Sequence, residues 1–94
     1  MLFAILGVLK PGMEERLASL QIAFNEHLAQ PFQRIALAGT LVGQNRGRKG
    51  YLMLIEAENH DQAQAYLEQS PVFRAELYER VDVAEFNVQV GRLE

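Results

Sequence analysis

Short apolar runs and longer helical patterns alternate along the chain. The first run, residues 2–9 (LFAILGVL), is closed by Lys10-Pro11-Gly12, and its length and ending favour a strand over a helix. Three further runs of this kind predict strands over residues 34–43, 51–58 and 81–90. A polar loop with two glycines, residues 44–50, joins the second run to the third, which is typical of a β-hairpin.

Between the first two runs, residues 13–29 carry apolar side chains at helical spacing. At about 100° per residue, five of them fall within one narrow stripe. They are Met13, Leu17, Leu20, Phe24 and Leu28. The pattern predicts one continuous helix, which Pro31 ends because proline cannot continue the hydrogen-bond ladder.

A second helix is predicted to begin just after Asn59. Asn59 and Gln62 have the spacing of a capping box, in which the two side chains satisfy free amides at a helix start. Ser70 followed by Pro71 then gives an N-cap and a first helical position. We expect a short helix from there through Leu77.

The predicted element order is β-α-β-β-α-β. With right-handed crossovers and a central hairpin, this order gives a ferredoxin-like α+β fold, a four-stranded antiparallel sheet with both helices on one face. The 94 residues suffice for one domain and not for two, so we expect a single domain over residues 1–94.

Both faces of this sheet are expected to be apolar. In the first strand Leu2 and Leu6 point to one side and Phe3 and Ile5 to the other. Two helices cover only one face, and the second apolar face would exceed the few hundred Å² that a monomer usually exposes. The simplest cover is the sheet of an identical chain, so we expect a homodimer formed through the sheet face.

The composition limits which cellular compartment and which classes of partner are expected. The absence of cysteine favours a reducing cytoplasm, and no apolar run approaches the roughly 20 residues of a membrane span. A net charge of −3 disfavours nucleic acid as a partner. Lys49-Gly50-Tyr51 opens like an RNA-recognition motif, but Leu52 and Met53 stand where a small residue and a stacking aromatic are needed.

Short motifs in the C-terminal third follow one another in a characteristic order. They are Glu56-Ala57-Glu58, Ala63-Gln64-Ala65, Ser70-Pro71-Val72-Phe73, Tyr78-Glu79-Arg80-Val81-Asp82-Val83 and Phe86. The N-terminal part adds His27-Leu28, Gly39-Thr40-Leu41 and Gly43. With these motifs, nearly the whole chain resembles the YciI-related family of small dimeric α+β barrel proteins. The resemblance implies ferredoxin-like subunits paired into a barrel.

The resemblance also implies a site built from a helix histidine and an aspartate just before a proline. His27 stands near the first position, and Ser70 occupies the second in place of the aspartate. A carboxylate would orient the imidazole and raise its basicity, whereas a hydroxyl hydrogen-bonds without charge. We therefore take His27 as the candidate catalytic residue and Ser70 as a candidate ligand-binding residue. Their simpler roles are a histidine near a helix C-terminus and an N-cap.

A basic cluster in the hairpin loop is the other candidate ligand-binding feature. Arg46 and Arg48, beside Lys49, are suited to clamping a small anionic metabolite, while the simpler interpretation is a solvated loop that discourages edge pairing. His27 and His60, without cysteine or clustered carboxylates, form no recognisable metal-ligand set, and no phosphate-cradling glycine loop occurs. We expect no metal and no built-in cofactor.

Two functions from different classes remain open. The first is a YciI-like, cofactor-free enzyme in which His27 moves a proton during elimination or isomerisation of a small molecule. The second is a non-catalytic dimer that binds a ligand or another protein, suggested by Ser70 in the place of the acid. A cofactor-free monooxygenase would share the dimeric barrel, but only by analogy of fold.

Overall fold

The computed structural model describes residues 1–92. These residues form β1 (Leu2–Leu9), α1 (Glu14–Ser19), α2 (Gln21–Ala29), β2 (Ile35–Val42), β3 (Arg48–Glu56), α3 (His60–Glu68), α4 (Pro71–Arg74) and β4 (Tyr78–Glu85). The strands form one antiparallel sheet in the order β2-β3-β1-β4. The predicted ferredoxin-like α+β fold, with its β2-β3 hairpin, is confirmed.

The helices cover one face of this sheet. Along β1, Phe3 and Ile5 are buried while Ala4 between them is partly exposed, and β3 places Met53 and Ile55 in register with the two buried residues. These side chains pack in one cluster with α3. A second cluster joins α1, α2, the start of β3 and the α4 region, and its buried members are Leu17, Phe24, Tyr51, Val72 and Leu77. Period-two alternation in the strands therefore places the core on the helix side.

The opposite face of the sheet is apolar across its three adjacent strands β2, β3 and β1. Leu6 pairs with Leu52 across β1 and β3, and Leu37 pairs with Leu54 across β2 and β3. Leu37 is 55% exposed and Leu52 is 40% exposed. The expectation of two apolar faces is met, and the dimer expected to cover the second face stays a prediction.

The prediction of one continuous helix over residues 13–29 is wrong. The chain leaves helical geometry at Leu20 (φ −100°, ψ 1°), which separates α1 from α2. The Leu20 amide bonds to the carbonyl of Leu17, a tighter three-residue spacing that is common at helix ends. Leu17 and Phe24 remain buried on either side of the break, so the apolar stripe still faces the core.

Several element boundaries also differ from the sequence prediction. The last strand is β4, Tyr78–Glu85, and not residues 81–90: the Phe86 amide reaches the carbonyl of Leu2, where β1 begins, so further residues have no strand to pair with. The short helix stops at Arg74 and not at Leu77, because Glu76 adopts a left-handed conformation (φ 61°) that ends it. β3 begins within the predicted loop. The last two residues of the expected tail lie outside the described residues.

A close approach between β1 and β4 requires glycine at position 7. The Tyr78 ring lies over Gly7, and a Cβ there would come within 2.3 Å of Tyr78 Cε1. Burial of the ring raises the pKa of Tyr78, and the neighbouring Tyr51 acts in the same direction. Within residues 1–92, no helix combines the length and hydropathy needed to cross a bilayer.

Candidate functional site

His27 lies in the last turn of α2, within a row of four rings that runs from β3 to α3. Its imidazole stacks on Tyr66, with 4.2 Å between ring centroids and 21° between planes. On its other side the Phe24 ring is 6.5 Å away, and Phe24 in turn packs against Tyr51 at 4.7 Å. We call Tyr51, Phe24, His27 and Tyr66 the aromatic row. It fixes the imidazole between two rings, as the i, i+3 spacing of Phe24 and His27 on α2 allows.

Two buried polar atoms stand out for lacking hydrogen-bond partners. Among the described residues they are His27 Nε2 and Ser70 Oγ, and Ser70 is fully buried. Burying such a group without a partner costs about 1–3 kcal/mol, and native folds contain few of them. Ser70 lies in the extended connection between α3 and α4, two residues after α3 ends at Glu68. The structure thus gives both sequence-predicted residues the same unusual property.

The protonation state of His27 follows from its surroundings. Burial lowers the pKa of His27 below its ordinary value of 6.5, and a backbone hydrogen bond with Tyr66 acts in the opposite direction. Since a lowered pKa leaves the imidazole neutral at neutral pH, His27 carries a free lone pair able to accept a proton. The Tyr66 hydroxyl donates to the His27 carbonyl oxygen at 3.3 Å, tying the end of α2 to α3.

The hydrogen bond from the Tyr66 hydroxyl to the His27 carbonyl, which links α2 to α3, is partly buried. Burial raises the pKa of Tyr66, while a hydrogen bond with Gln30 lowers it in part. The phenol therefore stays protonated at neutral pH and remains a donor. This contact positions the backbone that carries His27.

Ser70 does not cap α4 through its side chain, which differs from the expected N-cap. It precedes Pro71 at the first helical position, but its hydroxyl makes no capping hydrogen bond. By contrast, the predicted cap at Asn59 is confirmed: its Oδ1 accepts from the Gln62 amide at 2.8 Å. Gln62 Oε1 reaches back to the amide of Glu58, one residue before the usual position. The Ser70 hydroxyl is therefore unused by the secondary structure.

A cavity of about 210 Å³ lies between α2 and the β2-β3 edge of the sheet. Its lining residues are Gln21, Phe24, Asn25, Leu28, Ala38, Gly39, Thr40, Arg48, Tyr51 and Met53. Arg48 Nη1 lies 3.4 Å from both Gln21 Oε1 and the Tyr51 hydroxyl, and its guanidinium carbon is 6.0 Å from the Tyr51 ring centroid. We call this space the α2 cavity.

The structure does not gather all predicted site residues at one place. Arg46, at the hairpin turn (φ 67°), and Arg48 both line a neighbouring groove with Glu14, but only Arg48 also lines the α2 cavity. Neither His27 nor Ser70 is among the residues lining the α2 cavity. Phe24 belongs both to the cavity wall and to the aromatic row, so it contacts the cavity as well as the His27 ring.

Sequence reasoning missed Tyr66 and Gln21 as parts of these sites. Both sit on helices distant in sequence from the residues they contact, and no local motif marks them. Phe24 was visible in the sequence as part of the apolar helical stripe, but that stripe indicates core packing and not a site. Among the described residues, no group of three or more His, Asp or Glu side chains is placed to hold a metal ion.

The chain is similar to known proteins in both sequence and fold. The sequence model of the YCII-related domain matches residues 1–87. The chain belongs to this family. Among solved structures, the YCII-related chain is similar to 5-chloro-2-hydroxyhydroquinone dehydrochlorinase (TftG) from Burkholderia phenoliruptrix AC1100, solved in complex with 2,5-dihydroxybenzoquinone. The two share 24% sequence identity with a TM-score of 0.84, over 93% of this chain and 94% of the other. A comparison with curated proteins gave no match.

Membership of the YCII-related family confirms the resemblance that the C-terminal motifs indicated. The matched residues include His27 and Ser70 and all eight secondary-structure elements. At this level of identity the likeness to the dehydrochlorinase establishes the shared fold.

Proposed function

We propose that this YCII-related protein is a cofactor-free small-molecule enzyme in which His27 moves a proton. The observation that carries the proposal is the buried, unpartnered Nε2 of His27, in a ring whose pKa burial holds below 6.5. In a neutral imidazole, a ring nitrogen that no structural hydrogen bond occupies can act as a general base. The stacking of Tyr66 on its face holds the ring in one orientation.

The reaction class is supported by the dehydrochlorinase of the same fold. Loss of hydrogen chloride requires a base to take a proton while chloride departs with the bonding electron pair. We infer an elimination or an isomerisation here. In an elimination, His27 Nε2 accepts a proton from substrate while a leaving group departs with the bonding electron pair, and the imidazolium then gives its proton to water. In an isomerisation, the imidazolium returns the proton to a different atom of the same molecule. The substrate is a small, planar, hydroxylated organic molecule, a class that includes the quinone bound by that enzyme.

Access to His27 requires a side-chain movement. Phe24 lines the α2 cavity and stacks near the His27 ring, His27 does not line the cavity, and Nε2 itself is buried. We infer that substrate reaches His27 when the Phe24 ring rotates away. A Phe24→Leu variant, with a smaller side chain, should then bind substrate faster than the parent.

The assembly we infer is a homodimer formed through the open sheet face. Its support is the exposure of two leucines, Leu37 and Leu52, on the face opposite the helices. An identical sheet is the simplest cover for a flat apolar surface, since a two-fold interface uses the same patch twice. A cytoplasmic location, inferred from the absence of cysteine, is part of the same proposal.

A second candidate function is a non-catalytic dimer that binds a ligand or another protein. The observation that favours it is Ser70, whose fully buried hydroxyl supplies no charge to orient or activate His27. The two functions separate in a Ser70→Asp variant. An activity that appears in this variant and is absent from the parent supports the non-catalytic assignment.

A thermal-shift screen tests the enzyme proposal. The parent, His27→Ala and the matched control His60→Ala are heated with 2,5-dihydroxybenzoquinone and a set of small hydroxylated acids and quinones. His60 is the other histidine of the chain and lies exposed at the start of α3, bonded to the Val83 carbonyl. A ligand at 100 times its dissociation constant adds about 2.7 kcal/mol, several degrees in a domain of this size.

The proposal predicts that at least one compound stabilises the parent and His60→Ala but not His27→Ala. The parent should then convert that compound to a product. If every stabilising compound acts equally on all three proteins, His27 is not part of the site. If compounds bind through His27 and none is converted, the non-catalytic assignment replaces the enzyme.

A further inference from the structure

We propose that the α2 cavity is a binding site for the carboxylate of a small monocyclic organic acid, held by Arg48. The proposal goes beyond the function of His27, because His27 does not line this cavity. It rests on three features of the described residues: a cation without a counter-charge, an apolar inner wall and a volume that limits ligand size.

The guanidinium of Arg48 has no carboxylate partner within residues 1–92. Two other arginines do form ion pairs, Arg34 with Glu56 and Arg80 with Asp82. Glu14 lines the adjoining grooves together with Arg48 but makes no ion pair with it. Besides its approach to the Tyr51 ring, the guanidinium makes two long hydrogen bonds, both 3.4 Å, to neutral oxygens.

The weak contacts of Arg48 leave it available to an anion. A guanidinium has five N–H donors in a planar fork that matches the two oxygens of a carboxylate. Gln21 and the Tyr51 hydroxyl, which already approach Arg48, hold the fork at the cavity wall and supply further hydrogen-bonding groups. Lys10 and Arg46 also line grooves that adjoin Arg48, and together they outnumber the one acid there, Glu14, so the surrounding charge favours a negative ligand.

The rest of the cavity is suited to a hydrocarbon ring. Phe24, Leu28 and Met53 form an apolar wall, and Thr40 and Asn25 add polar groups to the lining. The volume of about 210 Å³ lies below the roughly 300–1,000 Å³ of pockets for drug-sized ligands. A single ring bearing one carboxylate therefore fits the lining and the size better than a nucleotide or a peptide.

Benzoate is the test ligand, with benzyl alcohol as its uncharged counterpart. Binding is measured by calorimetry and by NMR shifts in the parent, Arg48→Gln, Lys49→Gln and Ala38→Leu. Lys49→Gln removes the same charge from the neighbouring residue, which does not line the cavity. Ala38 lines the cavity and pairs with Met53 across β2 and β3, so leucine there fills the space and leaves Arg48 intact.

The proposal predicts saturable binding of benzoate that Arg48→Gln weakens by about ten-fold or more, that Lys49→Gln changes by less than about two-fold, and that Ala38→Leu abolishes. Benzyl alcohol should bind the parent about ten-fold more weakly than benzoate. Unchanged thermal unfolding of the variants shows that they are folded.

Three results overturn the proposal. They are no saturable benzoate binding up to about 10 mM, equal losses in Arg48→Gln and Lys49→Gln, or full binding in Ala38→Leu. His27→Ala separates this site from the proposed enzyme. Benzoate binding that survives in His27→Ala, with no ligand found for His27, leaves the Arg48 site standing while the proton-transfer function fails.

Discussion

For the Ser70→Ala variant, sequence and structure predict changes in stability of opposite sign. As an N-cap, Ser70 would stabilise α4, and its replacement by alanine would cost about 1 kcal/mol. In the structure its Oγ is fully buried without a hydrogen-bond partner, and no capping bond is made. Burial of an unpaired hydroxyl costs about 1–3 kcal/mol in proteins, and alanine removes that cost while leaving only a small void.

We therefore expect Ser70→Ala to stabilise the fold by about 1 kcal/mol. For a chain of 94 residues this raises the melting temperature by about 4–8 °C. The assay is thermal and urea unfolding at one fixed protein concentration, because an assembly would make the midpoint depend on concentration. Asn59→Ala is the matched control, since the Asn59 cap is made through a 2.8 Å bond and its loss should destabilise by about 1 kcal/mol.

The refuting result is a clear loss of stability in Ser70→Ala, of a size similar to that in Asn59→Ala. Such a loss would show that the hydroxyl makes a stabilising contact. Ser70 would then be a structural residue, and its hydroxyl would no longer be a candidate for ligand binding.

Three further predictions concern the pH dependence, the assembly and the packing. Burial lowers the pKa of His27 in the folded protein, so the unfolded chain binds more protons below about pH 6.5. Acidification from about pH 7 to 5 should therefore lower the free energy of unfolding more in the parent than in His27→Phe. Equal losses of that free energy, measured by urea unfolding, would contradict this. Leu52→Lys should change the mass in sedimentation from that of two 10.6 kDa chains to that of one, whereas a parent that is already monomeric refutes the dimer. Gly7→Ala should destabilise by about 1–3 kcal/mol or more, since the new Cβ meets the Tyr78 ring, and an unchanged melting temperature would count against that contact.

The fold could be predicted because its periodicities are local. Each strand shows a short apolar run, and the helices show the stripe or a cap such as Asn59 that one segment suffices to reveal. The break at Leu20 could not be predicted, since neither proline nor glycine marks it and the stripe continues across it. The end of β4 was also hidden, because it depends on where β1 begins and not on the alternation of residues 86–90.

The candidate site was only partly visible in the sequence. His27 and Ser70 came from the family motif, and the structure adds that both present buried, unpartnered atoms. No sequence motif marks Tyr66, because its stacking on His27 depends on how two helices pack. Arg48 was visible as a loop cation, but the cavity it lines is completed by α2 and β2, which are brought to it only by folding.

The ionisation of His27 tests the central claim most directly. Nitrogen NMR of the imidazole, followed through a pH titration of the parent and assigned with His27→Ala, reports both its pKa and its charge. The account predicts a pKa below 6.5, a neutral ring at neutral pH, and a change in the Nε2 resonance when a compound from the thermal-shift screen binds. A pKa above 6.5, or an Nε2 resonance that no bound compound alters, would contradict the assignment of His27 as the proton-transferring base.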